Sequence, residues 1–221
     1  LEGLAETDIS AEAFEFGSGR YARVAGVEVW LQRLSYVGEL GWEIFVPANQ
    51  AVNVFSELQR VGAPFDLRNV GLHAVNSLRL EKGFRHWGHD IGSEDNLVQA
   101  GLSFAAKPDA GDFIGRSAFV QAKAAGLPDR RLVQFKLDDP EPLLYHNDPI
   151  LLDGRITGYL RSGMYGHSVG AAIGMGYVAM EDLTADRIKE ASFEIEIAKQ
   201  RFSAQASLRA LYDPSSSRMK V

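Results

Sequence analysis

The chain has 221 residues, 46% of them apolar and 24% charged, and a formal net charge of −6. Such a length folds as one large or two smaller domains and buries roughly 70% of the unfolded surface, while the acidic balance excludes a nucleic-acid partner, which needs clustered Lys and Arg. Cysteine is absent, so disulfides, thiolate nucleophiles and cysteine metal sites are excluded.

Residues 1–20 are an acidic lead-in without the apolar core and basic flank of a secretory signal. The longest uncharged run, Ser162 to Met180, holds five glycines and His167, too little hydrophobicity for a membrane helix. The expected setting is soluble, in the cytoplasm or, in a eukaryote, the mitochondrial matrix, with no membrane or nucleic-acid partner.

From Val27 to Leu34 apolar and polar residues alternate loosely, and Trp42 to Val46 does the same. Between them Gly38 and Gly41 bracket Glu39-Leu40, a pattern that predicts two strands meeting at a tight turn. A hairpin centred there places Val37 opposite Trp42 and Tyr36 opposite Glu43, so that a phenol and a carboxylate share one face. On chemistry alone two readings of that pair stand. Glu43 salt-bridges a neighbouring cation while Tyr36 packs as a half-buried aromatic, or the carboxylate accepts two parallel hydrogen bonds from a ligand with adjacent N–H donors, as a pterin edge has.

Asn49 suits a helix N-cap, Ala51, Val54, Phe55, Leu58 and Val61 recur at helical spacing, and Gly62-Ala63-Pro64 ends the run. A second helix is expected over 68–81. Residues 92–115 are rich in turn formers, and a third helix is expected over 117–125 with Phe119 and Val120 inward. Gly126-Leu127-Pro128-Asp129 is the linker candidate, giving domains 1–127 and 128–221. Beyond it, short alternating runs at 131–137, 149–152, 156–161, 169–178, 193–197 and 202–208, separated by Gly, Asp and Pro, predict a small antiparallel barrel or sandwich.

Ser35-Tyr36-Val37-Gly38-Glu39-Leu40-Gly41-Trp42-Glu43 resembles the hairpin of the folate-binding aminomethyltransferases, the glycine cleavage T-protein family. Its wording is closest to the branch fused to dimethylglycine and sarcosine dehydrogenases. A second stretch, Gly71 to Gly83 with Ser77-Leu78-Arg79-Leu80-Glu81, resembles the family again, and Phe84 to Ile91 resembles the fused branch. The resemblance implies an α+β fold: part of the T-protein folate-binding domain, followed by a small antiparallel β-barrel. It implies that Glu43 binds the pterin of tetrahydrofolate and that Tyr36 is a folate contact, while Arg85 and Trp87 are candidates to wall the folate cleft by charge or stacking. Where the T-protein carries a folate-contacting Arg this chain has Val75, so that role is not transferred. Asp8-Ile9-Ser10, Ala13-Phe14-Glu15-Phe16 and Val24-Ala25-Gly26-Val27 also resemble residues ahead of the hairpin in relatives, so the chain is expected to begin inside the family module.

The implied activity is one-carbon transfer to tetrahydrofolate, giving 5,10-methylenetetrahydrofolate. The essential Asp is expected in a missing N-terminal part of the module, and FAD only in an absent upstream domain, so no catalytic residue is assigned. The alternatives are a non-catalytic folate-binding or scaffold module and a piece of a free-standing T-protein. His86, His89 and Asp90 have metal-like spacing but no third ligand nearby, and are expected to be polar loop residues, with no metal. The glycines from Gly163 to Gly176 lack a phosphate-loop pattern and suit strand bends in a barrel. His167 and Ser168 lack the nucleophile elbow of a hydrolase.

Overall fold

A computed structural model describes residues 1–220. The chain divides into two compact units, Leu1–Val75 with the described part of Ser215–Val221, and Asn76–Pro214.

The first unit is built on a three-stranded antiparallel sheet in the order β1 (Gly19–Val24), β2 (Val27–Gln32), β3 (Glu43–Phe45). Ala25 and Gly26, at φ 51° and 73°, make a two-residue turn from β1 into β2. Positive φ at both positions twists the backbone in the sense that flanking strands require. Alternation sorts the side chains: Ala22, Val24, Val29 and Leu31 are buried. Phe14, Val54 of the first helix, Trp42 and Ile44 pack against them. Tyr21, Trp30 and Phe45, directly paired across the strands, share the exposed face.

Helix α1 (Ala51–Gly62) follows a 3₁₀ turn at Ala48–Gln50. Asn49 lies inside that turn and does not cap the helix; Gln50 precedes α1 without a side-chain cap. Helix α2 (Leu72–Glu81) starts later than residue 68, because Asp66 at φ 56° ends a 3₁₀ turn and breaks the path into a helix. Its last turn is the buried part, with Ser77, Arg79, Leu80 and Glu81 inward. In α3 (Arg116–Ala124) Phe119 is buried but Val120 is 42% exposed, so only one of the two expected inward residues faces inward.

The second unit contains a closed six-stranded barrel in the ring order β4 (Arg131–Leu137), β7 (Ala171–Val178), β6 (Arg155–Gly166), β5 (Pro149–Leu152), β8 (Phe193–Ile197), β9 (Gln200–Ser207). Every neighbouring pair is antiparallel. Phe135, Ile150, Leu160, Phe193 and Ile195 fill the interior. Strand β7 is buried at every position. One face lines the barrel core and the other, at Ile173, Met175 and Tyr177, is covered by Leu80 and Leu132. Its sequence is therefore apolar or glycine throughout rather than alternating. A Cβ at Gly176 would lie 2.5 Å from the Tyr159 carbonyl oxygen, so close strand approach excludes any larger residue there. A short helix, α4 (Ala185–Glu190), sits between β7 and β8, its first turn capped by the Thr184 side chain accepting from the Arg187 amide. The expected linker at 126–129 lies between α3 and β4, and the barrel opens at Arg131.

Candidate functional site

Residues 33–42 connect β2 to β3, and the turn is wider than a tight hairpin. Gln32 pairs with Glu43 in the register, so Tyr36 lies within the loop and is not opposite Glu43. Three contacts fix this shape. The Leu34 amide donates to the Gly41 carbonyl at 3.2 Å. A Cβ at Gly41 would stand 2.6 Å from the Leu34 carbonyl oxygen, so that approach requires glycine. Further out, the Ser35 hydroxyl accepts the amides of Val37 at 3.3 Å and Gly38 at 2.9 Å, curling the tip.

Beneath the loop lies Arg33, 1% exposed. Its guanidinium donates to the Phe14 carbonyl at 2.8 Å, and stands 6.0 Å from the Trp42 ring centroid. Trp42 in turn meets Phe14 edge to face at 4.8 Å. A buried cation that hydrogen-bonds backbone and touches an aromatic ring fixes the base of the loop, since leaving it unsatisfied would cost more than surface pairing ever gains. On the loop itself Glu39 takes a two-oxygen contact from Arg218 Nε at 3.1 and 2.9 Å.

Glu43 opens β3 with its side chain exposed, and it forms no ion pair with a cation among the described residues. Tyr36 is 37% exposed. The hairpin thus presents a carboxylate with both oxygens open on a rigid base.

The other two predicted residues belong to the second unit and differ in kind. Arg85 is a structural cation: Nε and Nη2 donate to the Ala100 carbonyl at 3.2 and 3.0 Å, and Nη1 donates to the Gly83 carbonyl. Burial lowers its pKa from the usual arginine value, opposed by the Asp90 charge. Trp87 is 68% exposed, on the loop that turns from His86 to Ile91.

Asp90 is a polar loop residue, as expected, and it is fully buried. One oxygen takes the Arg79 guanidinium and, at 2.8 Å, the His86 amide, and the other takes the Ser162 hydroxyl at 2.6 Å. Arg79 closes the triangle with 2.8 Å to Ser162 Oγ. Ser162 sits where β6 slips register against β7. Next along the chain, Glu81 Oε1 accepts the amides of Ser168 at 2.6 Å and Val169 at 3.1 Å, holding the β6–β7 turn. Lys82 Nζ donates to the Asp213 carbonyl at 2.5 Å. Gln134 Nε2 donates to the Leu80 carbonyl at 2.6 Å. The second sequence signature is therefore a buried polar staple tying α2 to the barrel. A charged residue followed by apolar ones hints at Arg79, but nothing local to Asp90 signals its burial.

His86 and His89 ring centroids are 4.6 Å apart. Among the described residues no group of three or more His, Asp or Glu is placed to hold a metal, and no helix is long and apolar enough to cross a membrane.

Two family models match the chain: the GCVT N-terminal domain over residues 1–110 and the glycine cleavage T-protein C-terminal barrel domain over 130–213. The chain belongs to the glycine cleavage T-protein family. T-protein relatives include the 4-methylaminobutanoate oxidase (formaldehyde-forming) of Paenarthrobacter nicotinovorans, 37% identical over the whole chain and 26% of its own length. Human mitochondrial sarcosine dehydrogenase is 36% identical over the whole chain and 24% of its own length. The aminomethyltransferase of Halothermothrix orenii is 34% identical over 80% of the chain and 49% of its own length. The crystal structure of the glycine cleavage system aminomethyltransferase T from Bartonella henselae superposes with a TM-score of 0.74 at 25% identity, covering 84% of this chain and 50% of that one. This chain thus spans a quarter to a half of the length of these relatives.

Proposed function

We propose that the chain is the pterin-facing hairpin and closing barrel of a tetrahydrofolate-dependent one-carbon transferase, of the kind fused to dimethylglycine and sarcosine dehydrogenases. The observation that carries this reading is Glu43, an exposed carboxylate without an ion-pair partner among the described residues, at the head of a strand whose approach loop is fixed from below. Two open oxygens on one planar group match two parallel N–H donors, so the residue suits the amino-pyrimidinone edge of a reduced pterin. Tyr36, partly exposed in the same loop, is proposed to pack against the bound folate. Trp87 is proposed to wall the cleft by stacking, whereas Arg85, spent on backbone carbonyls, contributes by holding its own loop.

Tetrahydrofolate accepts the one-carbon unit and leaves as 5,10-methylenetetrahydrofolate. In this reading the residues here bind and orient that acceptor, and no catalytic residue lies among them. The acid beside the reacting nitrogen, the other half of the cleft, and any FAD domain that oxidises the amine belong to segments outside these residues. The chain's 49% coverage of the Halothermothrix orenii aminomethyltransferase supports that division. Shared contacts mean the isolated chain binds folate weakly at best, because incomplete sites lose more than a proportional share of affinity.

Changing Glu43→Ala in the full-length protein tests the reading. Folate-dependent product formation is expected to fall by roughly tenfold or more, the effect of losing charge-assisted hydrogen bonds. Unchanged product formation overturns the assignment. A second reading, a non-catalytic folate-binding or scaffold module, is supported by the mouse mitochondrial pyruvate dehydrogenase phosphatase regulatory subunit, 34% identical over 188 residues and a regulatory subunit by name. Tetrahydrofolate binding by the full-length protein without turnover would favour it.

A further inference from the structure

We propose that the barrel carries a second ligand site, on Arg130 and Arg161 over Tyr177, for a small carboxylate- or phosphate-bearing molecule. A cleft of about 210 Å³ opens there, lined by Arg130, Asn147, Tyr159, Arg161 and Tyr177 among others, and among the described residues no carboxylate lines it. The guanidinium carbons stand 4.8 Å (Arg130) and 5.7 Å (Arg161) from the same Tyr177 ring centroid.

The two cations are held differently. Arg130 is oriented from behind by Asp95, at 2.9 Å, whose side chain is only 7% exposed. Arg161, on β6, forms no ion pair with a carboxylate among the described residues. Two guanidiniums gathered on one ring repel each other, and the cation–π attraction of each is modest at an exposed site. An anion between them converts that repulsion into two charge-assisted contacts, which planar forks make with carboxylate or phosphate in pairs. Asn147, held at φ 67°, lines the same cleft and brings no charge to it.

Burial, with the Asp95 carboxylate nearby, pushes the Tyr177 phenol up, so the ring beneath stays neutral and does not compete with an anion. A neighbouring cleft of about 230 Å³ shares both arginines but is also lined by Glu94 and Asp95, which would repel an anion; the site is therefore assigned to the acid-free side. Its volume suits a molecule of a few heavy atoms and excludes a nucleotide or a pterin, whose pockets run to roughly 300 Å³ and above. The assignment is independent of the folate reading.

Calorimetric titration of the full chain with inorganic phosphate and, separately, with glutarate tests it. At least one probe is expected to bind, more weakly as salt is raised. Arg161→Gln should weaken that binding at least roughly tenfold, while Lys123→Gln on α3 leaves it unchanged. Arg161 is exposed, so its variant should keep the wild-type circular dichroism spectrum. Binding of phosphate alone points to a phosphate-bearing ligand, of glutarate alone to a dicarboxylate. Absence of binding by both probes at millimolar concentration, or equal affinity in Arg161→Gln, overturns the proposal.

Discussion

The loop at 33–43 and the segment at 79–91 both carry the family resemblance, yet they are opposites physically. The first leaves Glu43 and Tyr36 at the surface and buries a single cation, Arg33, to hold them. The second turns its charges inward, where Arg79, Asp90, Glu81 and Lys82 are each at most 4% exposed. A charged motif can therefore mark a place where a ligand is met or a place where the chain is fastened, and residue type alone does not separate the two. Burial does: a carboxylate with open oxygens is available to something outside, whereas Asp90, held by a guanidinium, a backbone amide and a hydroxyl, is not.

That contrast can be broken experimentally. The largest effect is expected at Asp90→Ala, which strands Arg79 in the interior and should cost about 3–5 kcal/mol in urea unfolding. A cost below about 1 kcal/mol would mean that the inward network fastens nothing. Next comes Gly41→Ala, whose added methyl meets the Leu34 carbonyl and should cost about 1–3 kcal/mol by forced displacement. Full stability there would show that the loop has other ways to close.

A smaller, pH-dependent effect sits on Tyr177. Its phenol is raised in the folded state by burial and by the Asp95 charge, while in the unfolded chain it ionises near about 10. Above that pH the unfolded chain holds fewer protons than the folded one, so the contribution, complete below about pH 10, is lost as pH climbs further. Urea midpoints measured on both sides of that value should fall for the wild type and fall less for Tyr177→Phe. Smallest of all, Glu43→Gln should move stability by less than about 0.5 kcal/mol, as befits an exposed side chain with no ion pair among the described residues. A larger loss would place Glu43 with the fastening residues instead.

Strands β4, β5 and β8 have the limits that alternation and turn residues predict; Asp138-Asp139-Pro140 ends β4 and Asp153-Gly154 ends β5. The hairpin register is another matter. Apolar alternation is compatible with a tight turn at Glu39-Leu40, and only the buried Arg33 and the Leu34–Gly41 approach select the wider loop. Arg33 makes its contacts with Phe14 and Ser18, far back in the chain, and no local pattern encodes them. Asp90 is hidden for the same reason: Arg79 and Ser162 come from 11 residues before it and 72 after it. β6 runs on to Gly166 past the expected end at 161, since pairing with β7 carries through residues whose polarity reads as a turn. Helix α4 is six residues long, too short to show periodicity, and only Thr184 announces it.

The ring order has one further consequence. Strands β4 and β9, first and last of the barrel, lie side by side, with Gln134 paired to Ser207 and Leu137 to Ala204. A short peptide could therefore join the end of β9 to the start of β4, and new termini could be cut at the Asp153-Gly154 bend, with every hydrogen-bonded neighbour retained. The wall is indifferent to where its polymer begins, so this half of the molecule is open to circular permutation.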